Sequence, residues 1–527
     1  MLKGTIPRFQ GIIVHIGDQG SDPEVAGGVL RRVTAERLPG SWRVSRLGAQ
    51  SLDYLLVQDQ VRRQVTPGTA WEWTMKLRRS REVFDAEPAF EIPGLTPDNQ
   101  RIQWIRGTTR LAGSKAVALL DLPGSQDYEW SLKLCHIPQA WAFSQSAGKP
   151  AQGTGVIVGH PDTGYTQHPE ISAGGHLNVA AGYNFYDQIK DPLDDLNGSY
   201  PGHGTSTASV IMSVQGVGAV GGAAFVTGTA PSASLIPLRV SDSVIHFSFA
   251  NLTAAIYYAV EQGCHIVSMS LGGPSSSSSL QRAIQHAIAN DVILLAAAGN
   301  VWPYVVYPAK YPEVIAITAC NARDEIWADA ATGDAVDATA PGESVWRART
   351  DPGPQYQVDR SSGTSYAVAT AAGVCALWLA HHGRQELIAR YGAGNVAGLF
   401  KEILITQGVR TPPNWKPSEW GAGIVNAESL LRAPLPGTAR PSGISRVHAS
   451  AVARLRNDFD EVAGYFPDVD PDRIRNVFKK LFKTNERGLN VLLAEIGDEL
   501  RFHLATDESL RASIGRQGRI KLTKTYT

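Results

Sequence analysis

Five short apolar runs constrain this chain most: GVIVGH (155–160), SLIPLRV (234–240), HIVSMSL (265–271), VILLAAAG (292–299) and EVIAITA (313–319). A strand with one wet face alternates apolar and polar residues; a run apolar throughout belongs to a strand covered on both faces. Helical patterns separate the runs, so residues 127–433 read as an α/β unit, a doubly wound parallel sheet with helices on either side. The 43% apolar content is enough to build such a core.

The flanking segments have a different grammar. Residues 10–92 run strand (GIIVHIG), helix (DPEVAGGVLRRVTAERL), two strands (WRVSRLG, DYLLVQD), helix (TPGTAWEWTMKLRRS) and a last extended segment (EVFDAEPAFEI). Asp22 and Thr66 stand where N-caps belong, each followed by proline at the first turn, Pro23 and Pro67. The order βαββαβ is that of a ferredoxin-like α+β sandwich, so residues 1–92 form a first domain. Residues 93–126, with Pro93, Pro97 and Pro123, read as a linker, and 434–446 as a second, Pro/Gly-rich one. Residues 447–527 show helical spacing and no strand signal, which predicts a small helical domain.

Three segments of the middle unit place a reactive side chain among small neighbours. In VIVGHPDTG a strand ends at Asp162; in GHGTSTASVIMSV His203 opens a helix; in SSGTSYAVATAAGVCALWL Ser365 starts a long apolar helix. Acyl transfer at neutral pH needs these groups: a nucleophile, a base to deprotonate it, and a carboxylate to hold the base's tautomer. Gly202, Gly204 and Gly363 are read as leaving room for a substrate backbone to approach Ser365. Each segment alone is ambiguous, since Asp ends turns and Ser caps helices. Together, in the chain order Asp, His, Ser, they carry weight, and that order resembles the one of the subtilisin-like serine peptidases.

On these residues the stretch 127–433 resembles the subtilisin-like serine peptidases, the subtilase family S8. Further matching blocks are SMSLGG (268–273), AAAGN (296–300), YPAKYPEVIAITA (307–319) and ATAPG (338–342). The resemblance implies Asp162 as orienting carboxylate, His203 as general base and acid, Ser365 as nucleophile, and Asn300 as side-chain donor to the oxyanion. It implies that Ser270, Leu271 and Gly272 pair with substrate backbone, and that Ala297, Ala298 and Gly299 wall the primary specificity pocket, with Trp302 and Tyr304 lining or narrowing it. It also implies that 1–92 is a propeptide-like inhibitor and 93–126 a place for self-cleavage. Ala369, Thr370 and Tyr366 depart from the usual pattern after the serine, with little expected chemical consequence.

The implied function is a serine endopeptidase acting on protein or peptide substrates. The same residues would serve a peptide transamidase or cyclase, and a catalytically silent scaffold is the third alternative. No cofactor is required. The usual calcium loop, 214–226, lacks Asp and Asn; Asp187, Asp191, Asp194, Asp195 and Asn197 are either oxygen ligands for Ca²⁺ or a solvated loop. With 49 basic and 49 acidic residues the net charge is zero, which argues against a nucleic-acid partner. No run of about 18 apolar residues predicts a membrane span. Four isolated cysteines (135, 264, 320, 375) and no signal-type leader suggest a cytoplasmic protein. The basic helical module at 447–527 has no motif, and docking of a regulatory protein is the expectation from its position.

Overall fold

The computed structural model describes residues 7–17, 22–59, 65–91, 127–215, 225–302, 304–350, 356–437, 458–466 and 469–515. The linker 93–126 lies outside them, as does most of 434–457. The N-terminal domain has the element order read from the sequence. Its strands are β1 (Arg8–His15), β2 (Trp42–Arg46), β3 (Asp53–Gln58) and β4 (Asp85–Glu91), with helices Pro23–Arg37 and Pro67–Arg78. They form an antiparallel sheet in the order β2-β3-β1-β4. Asp22 accepts the Glu24 N–H at 2.9 Å and Thr66 accepts the Thr69 N–H at 3.2 Å, as caps do. Pro88 fits because β4 is an edge strand, where a missing N–H breaks no ladder.

The central sheet has nine strands. They are β5 (Ile157–Asp162), β6 (Tyr183–Asn184), β7 (Ser234–Arg239), β8 (Ile266–Met269), β9 (Ile293–Ala297), β10 (Ile315–Cys320), β11 (Ala338–Pro341), β14 (Val409–Arg410) and β15 (Ile424–Val425). A separate hairpin is made of β12 (Val345–Thr350) and β13 (Tyr356–Ser361), which the sequence did not disclose. The sheet order is β14-β15-β11-β10-β9-β8-β5-β7-β6, parallel except for β14. Alternate residues of one strand enter two cores: Ile293, Leu295 and Ala297 face the helix Thr364–His382, while Leu294 and Ala296 face helices Ala250–Glu261 and Ser278–Ala289. This is why the runs are apolar throughout. The helix Thr364–His382 is buried at every position from Thr364 to His381, so it carries no polar stripe.

From β5 the chain runs out to the edge strand β6 and back to β7 on one side of β5, then crosses to add β8, β9, β10 and β11 on the other side. The order therefore reverses between β5 and β8. In open α/β sheets the crevice at the carboxyl ends of such strands is where ligands bind.

Both flanking parts pack against this unit. The N-terminal sheet lies on helices Ala250–Glu261 and Ser278–Ala289. There the Glu87 carboxylate accepts bonds from Ser277 Oγ, Ser278 N–H and Ser279 Oγ, and Asp53 pairs with Arg282. Helices Asp458–Gly464, Pro471–Leu481, Glu486–Thr506 and Glu508–Gly515 build the C-terminal module. Its core is not purely local: Phe459, Phe466, Phe478, Leu489 and Leu493 share a cluster with Ile245, Trp302 and Val306 of the central unit. Among the described residues no helix is long and apolar enough to cross a membrane.

Candidate active site

Asp162 is the last residue of β5 and is 1% exposed. Its Oδ1 accepts the His203 Nδ1–H at 2.7 Å and the Thr163 N–H at 2.7 Å, and its Oδ2 accepts from Thr207 Oγ1 at 3.3 Å. Burial by itself would raise the carboxyl's pKa. The His203 charge and hydrogen bond, with His160 and the Thr163 N–H, outweigh burial and hold it below the usual carboxylate range. Asp162 is thus an anion that fixes His203 with the proton on Nδ1, leaving Nε2 as the basic nitrogen.

His203 is the first residue of the helix His203–Met212. Thr163 Oγ1 accepts the Gly204 N–H at 3.0 Å and donates to Asp194 at 2.7 Å, and Asp194 also accepts the Gly202 N–H at 2.8 Å. This network clamps the helix start onto the end of β5. Gly202 and Gly204 make room for the protein's own packing and not for substrate approach: a Cβ on Gly204 would lie 2.1 Å from the Gly164 carbonyl oxygen just after β5, and one on Gly202 would strike Thr350 at the end of β12. The sequence reading of these two glycines is corrected accordingly. Only Gly363 borders the site, where a Cβ would stand 3.4 Å from Asn300 Nδ2.

Ser365 is the second residue of its helix, 5% exposed, with Gly363 as N-cap. Its hydroxyl donates to the Ser270 carbonyl at 3.4 Å, and Ser270 Oγ donates back to the Ser365 carbonyl at 3.1 Å. In this structure Ser365 is turned to Ser270, and no hydrogen bond to His203 is formed among the described residues. The two halves of the site are nonetheless neighbours. Val158 and Gly159 pair with Ile266 and Val267, and the same register carried to the strand ends sets Asp162 beside Ser270. Asn300 follows β9 and is exposed. Its Oδ1 accepts the Thr364 N–H at 2.9 Å and Thr364 Oγ1 at 2.6 Å, which aims the amide and leaves Nδ2 as a donor beside Ser365.

The six residues expected to meet substrate are less open. Ser270, Leu271, Gly272, Ala297 and Ala298 are buried, and Gly299 is partly exposed. The Gly272 N–H donates to the Val244 carbonyl and its carbonyl accepts the His246 N–H, each at 2.9 Å, with Ile245 and Gly272 aligned in parallel. The edge expected to pair with substrate is thus paired with the protein's own Val244–His246 segment. Ala298 is similarly engaged, donating to Ile317 and accepting from Val306. Trp302 and Tyr304 do not line a pocket: Trp302 packs on Phe247, and Tyr304 lies 5.5 Å from the Tyr465 ring of the C-terminal module. Their sequence position beside Asn300 concealed this, because the partners lie about 50 residues before Trp302 and about 160 after Tyr304.

The acidic run meets an internal partner. Arg239 is 2% exposed, lies 3.1 Å from Asp195 and 3.6 Å from both Asp187 and Asp194, and donates to the Leu193 carbonyl. Asp194 accepts backbone and hydroxyl donors besides. Carboxylates already shared between a guanidinium and N–H donors do not make an oxygen cage, so this donor set does not fit calcium. Two site residues escaped sequence reasoning: His160 and Thr207. The signal was available, an imidazole two residues before Asp162 in an apolar run and a threonine one helical turn after His203.

The fold and sequence of the central unit have counterparts among known proteins. Residues 153–390 match the Subtilase family. Thermitase from Thermoactinomyces vulgaris is 33% identical over 262 residues, 49% of this chain and 85% of that protein. Subtilisin E from Bacillus subtilis is 34% identical over 236 residues, 44% of this chain and 57% of its own. An intracellular serine protease of Paenibacillus polymyxa is 34% identical, covering 67% of that protein. In structure, fervidolysin from Fervidobacterium pennivorans superposes with TM-score 0.59 at 20% identity, over 82% of this chain and 62% of fervidolysin, which supports the fold. A serine peptidase architecture is what fold and site define together. The chain belongs to the subtilase family and is a subtilisin-like serine endopeptidase.

Proposed function

We propose that the chain cleaves peptide bonds through an Asp162–His203–Ser365 triad with Asn300 in the oxyanion site, and that its structure here is a latent form. The observation that carries this reading is the buried, ionised Asp162 at 2.7 Å from His203 Nδ1, on the crevice that also holds Ser365 and Asn300. In the proposed cycle the Ser365 hydroxyl turns from Ser270 to His203 Nε2. Nε2 takes its proton as Oγ bonds to the substrate carbonyl carbon, and Asp162 stabilises the imidazolium. The oxyanion accepts from Asn300 Nδ2–H and the Ser365 N–H. His203 then protonates the departing amine as the C–N bond breaks, leaving an acyl-enzyme. Water, deprotonated by His203, attacks the acyl carbon, and breakdown returns the proton to Ser365.

Latency is supported by three contacts. The N-terminal domain, retained here on helices Ala250–Glu261 and Ser278–Ala289, acts as the inhibitor. The Val244–His246 segment occupies the Gly272 edge. The C-terminal module covers Ile245 and Trp302 beside it. Removal of 1–92 through cleavage within 93–126 is the activating event in this reading. Four buried free thiols support a cytoplasmic location.

A fluorophosphonate probe tests the triad: the wild-type chain is labelled and Ser365→Ala is not. Equal labelling of both sinks the proposal. Mass spectrometry tests the processing, through a cut within 93–126 that Ser365→Ala fails to make.

A further inference from the structure

His160 and Asp162 lie two residues apart on β5, so both side chains face one side of the sheet, toward the helix that carries His203. Thr207 stands one turn along that helix from His203. The His160 imidazole is 1% exposed, with Nε2 at 3.0 Å from Thr207 Oγ1 and 4.0 Å from Asp162 Oδ2. An aliphatic side chain would fill this place without desolvating a ring nitrogen, so an imidazole here costs free energy unless its hydrogen bond is used.

We infer that His160 is a positioning residue, fixing the Asp162–His203 pair through Thr207. The direction of the chain follows from the carboxylate. Thr207 Oγ1 has one proton and three acceptors in reach, Asp162 Oδ2 at 3.3 Å and the His203 and Gly204 carbonyls at 3.1 and 3.3 Å; the ionised carboxylate is the strongest of them, so the proton is assigned to Asp162 and the Thr207 oxygen is left to accept. His160 therefore donates Nε2–H to Thr207 Oγ1, which donates to Oδ2, as His203 Nδ1–H donates to Oδ1. Asp162 sits between two histidines, one direct and one relayed by a hydroxyl. Without His160, Thr207 is free to turn its proton to the His203 carbonyl at 3.1 Å, an acceptor already within reach. Oδ2 then lacks its donor, and the carboxylate is less rigidly aligned on His203 Nδ1–H while more of its negative charge is left uncompensated. The charged groups acting on His160 are Asp162 and His203. Burial, which acts first, lowers its pKa and the His203 charge adds to that, against the pull of Asp162. A neutral ring is what the relay needs.

The inference rests on the triad reading, and the test separates the two. The rate of Ser365 phosphonylation is followed against pH in the full chain. His160→Val slows labelling about 10-fold, the loss of one bond to a charged group. It also raises the pH midpoint by about half a unit, because a carboxylate with fewer donors holds the His203 proton more strongly. His160→Gln, which can still donate from the same place, restores both. Thr207→Val reproduces the loss, and the double substitution adds nothing to it. A midpoint and rate within twofold of wild type in His160→Val overturn the positioning role. So do additive losses in the double variant at an unmoved midpoint, the mark of packing alone. If the wild type is not labelled, the triad reading fails first. Proton NMR of the Ser365→Ala chain then decides the relay without activity: the His203 Nδ1–H resonance moves on adding His160→Val if the relay exists and stays if it does not.

Discussion

The two flanking parts grip the catalytic unit by different physics. The N-terminal domain uses charge and direction. Glu87 meets three donors at the start of the helix Ser278–Ala289, Asp53 takes Arg282, and Glu91 accepts the Tyr186 hydroxyl at 2.7 Å. The C-terminal module uses area, with Trp302 and Ile245 sunk among its phenylalanines, and Asp498 on Ser276 as a polar contact. Directional bonds fix register but can be exchanged for water; apolar burial adheres without choosing a register. The Phe502 ring joins the two regimes. It stacks on Phe90 of the N-terminal domain at 4.5 Å and meets Trp71 and Phe247 edge-on. The module thereby packs on the N-terminal domain as well as on the central unit.

The sharpest way to break this contrast is Asp53→Ala. Asp53 is buried and faces both Arg282 and His15. Leaving the partly buried guanidinium with Asp85, 3.8 Å away, as its remaining ion-pair partner is expected to cost about 3–4 kcal/mol. Hydrogen exchange should rise across 8–58 and at the 278–289 helix while 486–506 stays protected. Burial pushes the Asp53 carboxyl up, but bonds to His15 and Arg282 and their charges hold it lowered overall. Its contribution is therefore full above the unfolded value and lost on acidification through the lower, folded one.

Phe502→Ala should cost about 3 kcal/mol, and the loss should appear on both sides of the junction. Exchange at 85–91 must increase together with exchange at 486–506; if 85–91 is unchanged, the module fastens the catalytic unit alone. Glu499 sharpens the comparison with the opposite sign. Burial raises its pKa to about 7 from 4.5, against the lowering charge of Arg78. Its contribution is full below the unfolded value and declines as pH rises through the folded one, by about 2 kcal/mol between pH 4 and pH 6. Glu499→Gln should leave stability near pH 4 unchanged and raise the chain's Tm at pH 6 to 8. The smallest effect belongs to Ile245→Val, about 1 kcal/mol. It should shorten any lag before peptide hydrolysis; an unchanged lag would show that the cover over Gly272 does not limit opening.

What the sequence disclosed follows the range of the forces involved. The sheet, its buried runs and the caps at Asp22 and Thr66 were legible because each is written in a dozen contiguous residues, and the expected site residues Asp162, His203, Asn300 and Ser365 were singled out for the same reason. Gly202 and Gly204 were seen but misassigned, since a missing Cβ does not say which neighbour needs the room. Trp302 and Tyr304 were misassigned because their partners, Phe247 and Tyr465, are set by tertiary packing. The same holds for Asp194 and Asp195, whose partner Arg239 lies on β7, more than 40 residues on. His160 was hidden inside a run read only for its apolar content.

The closure of Val244–His246 over Gly272 has a thermodynamic corollary. A peptide entering by strand addition trades one backbone ladder for another, so the net gain from amide pairing is near zero. The tethered segment, moreover, competes at a high effective concentration that never dilutes. If the proposed peptidase binds substrate along that edge, short fragments lose that contest, and long extended chains, able to add side-chain anchors along several positions, prevail. Length itself becomes the filter.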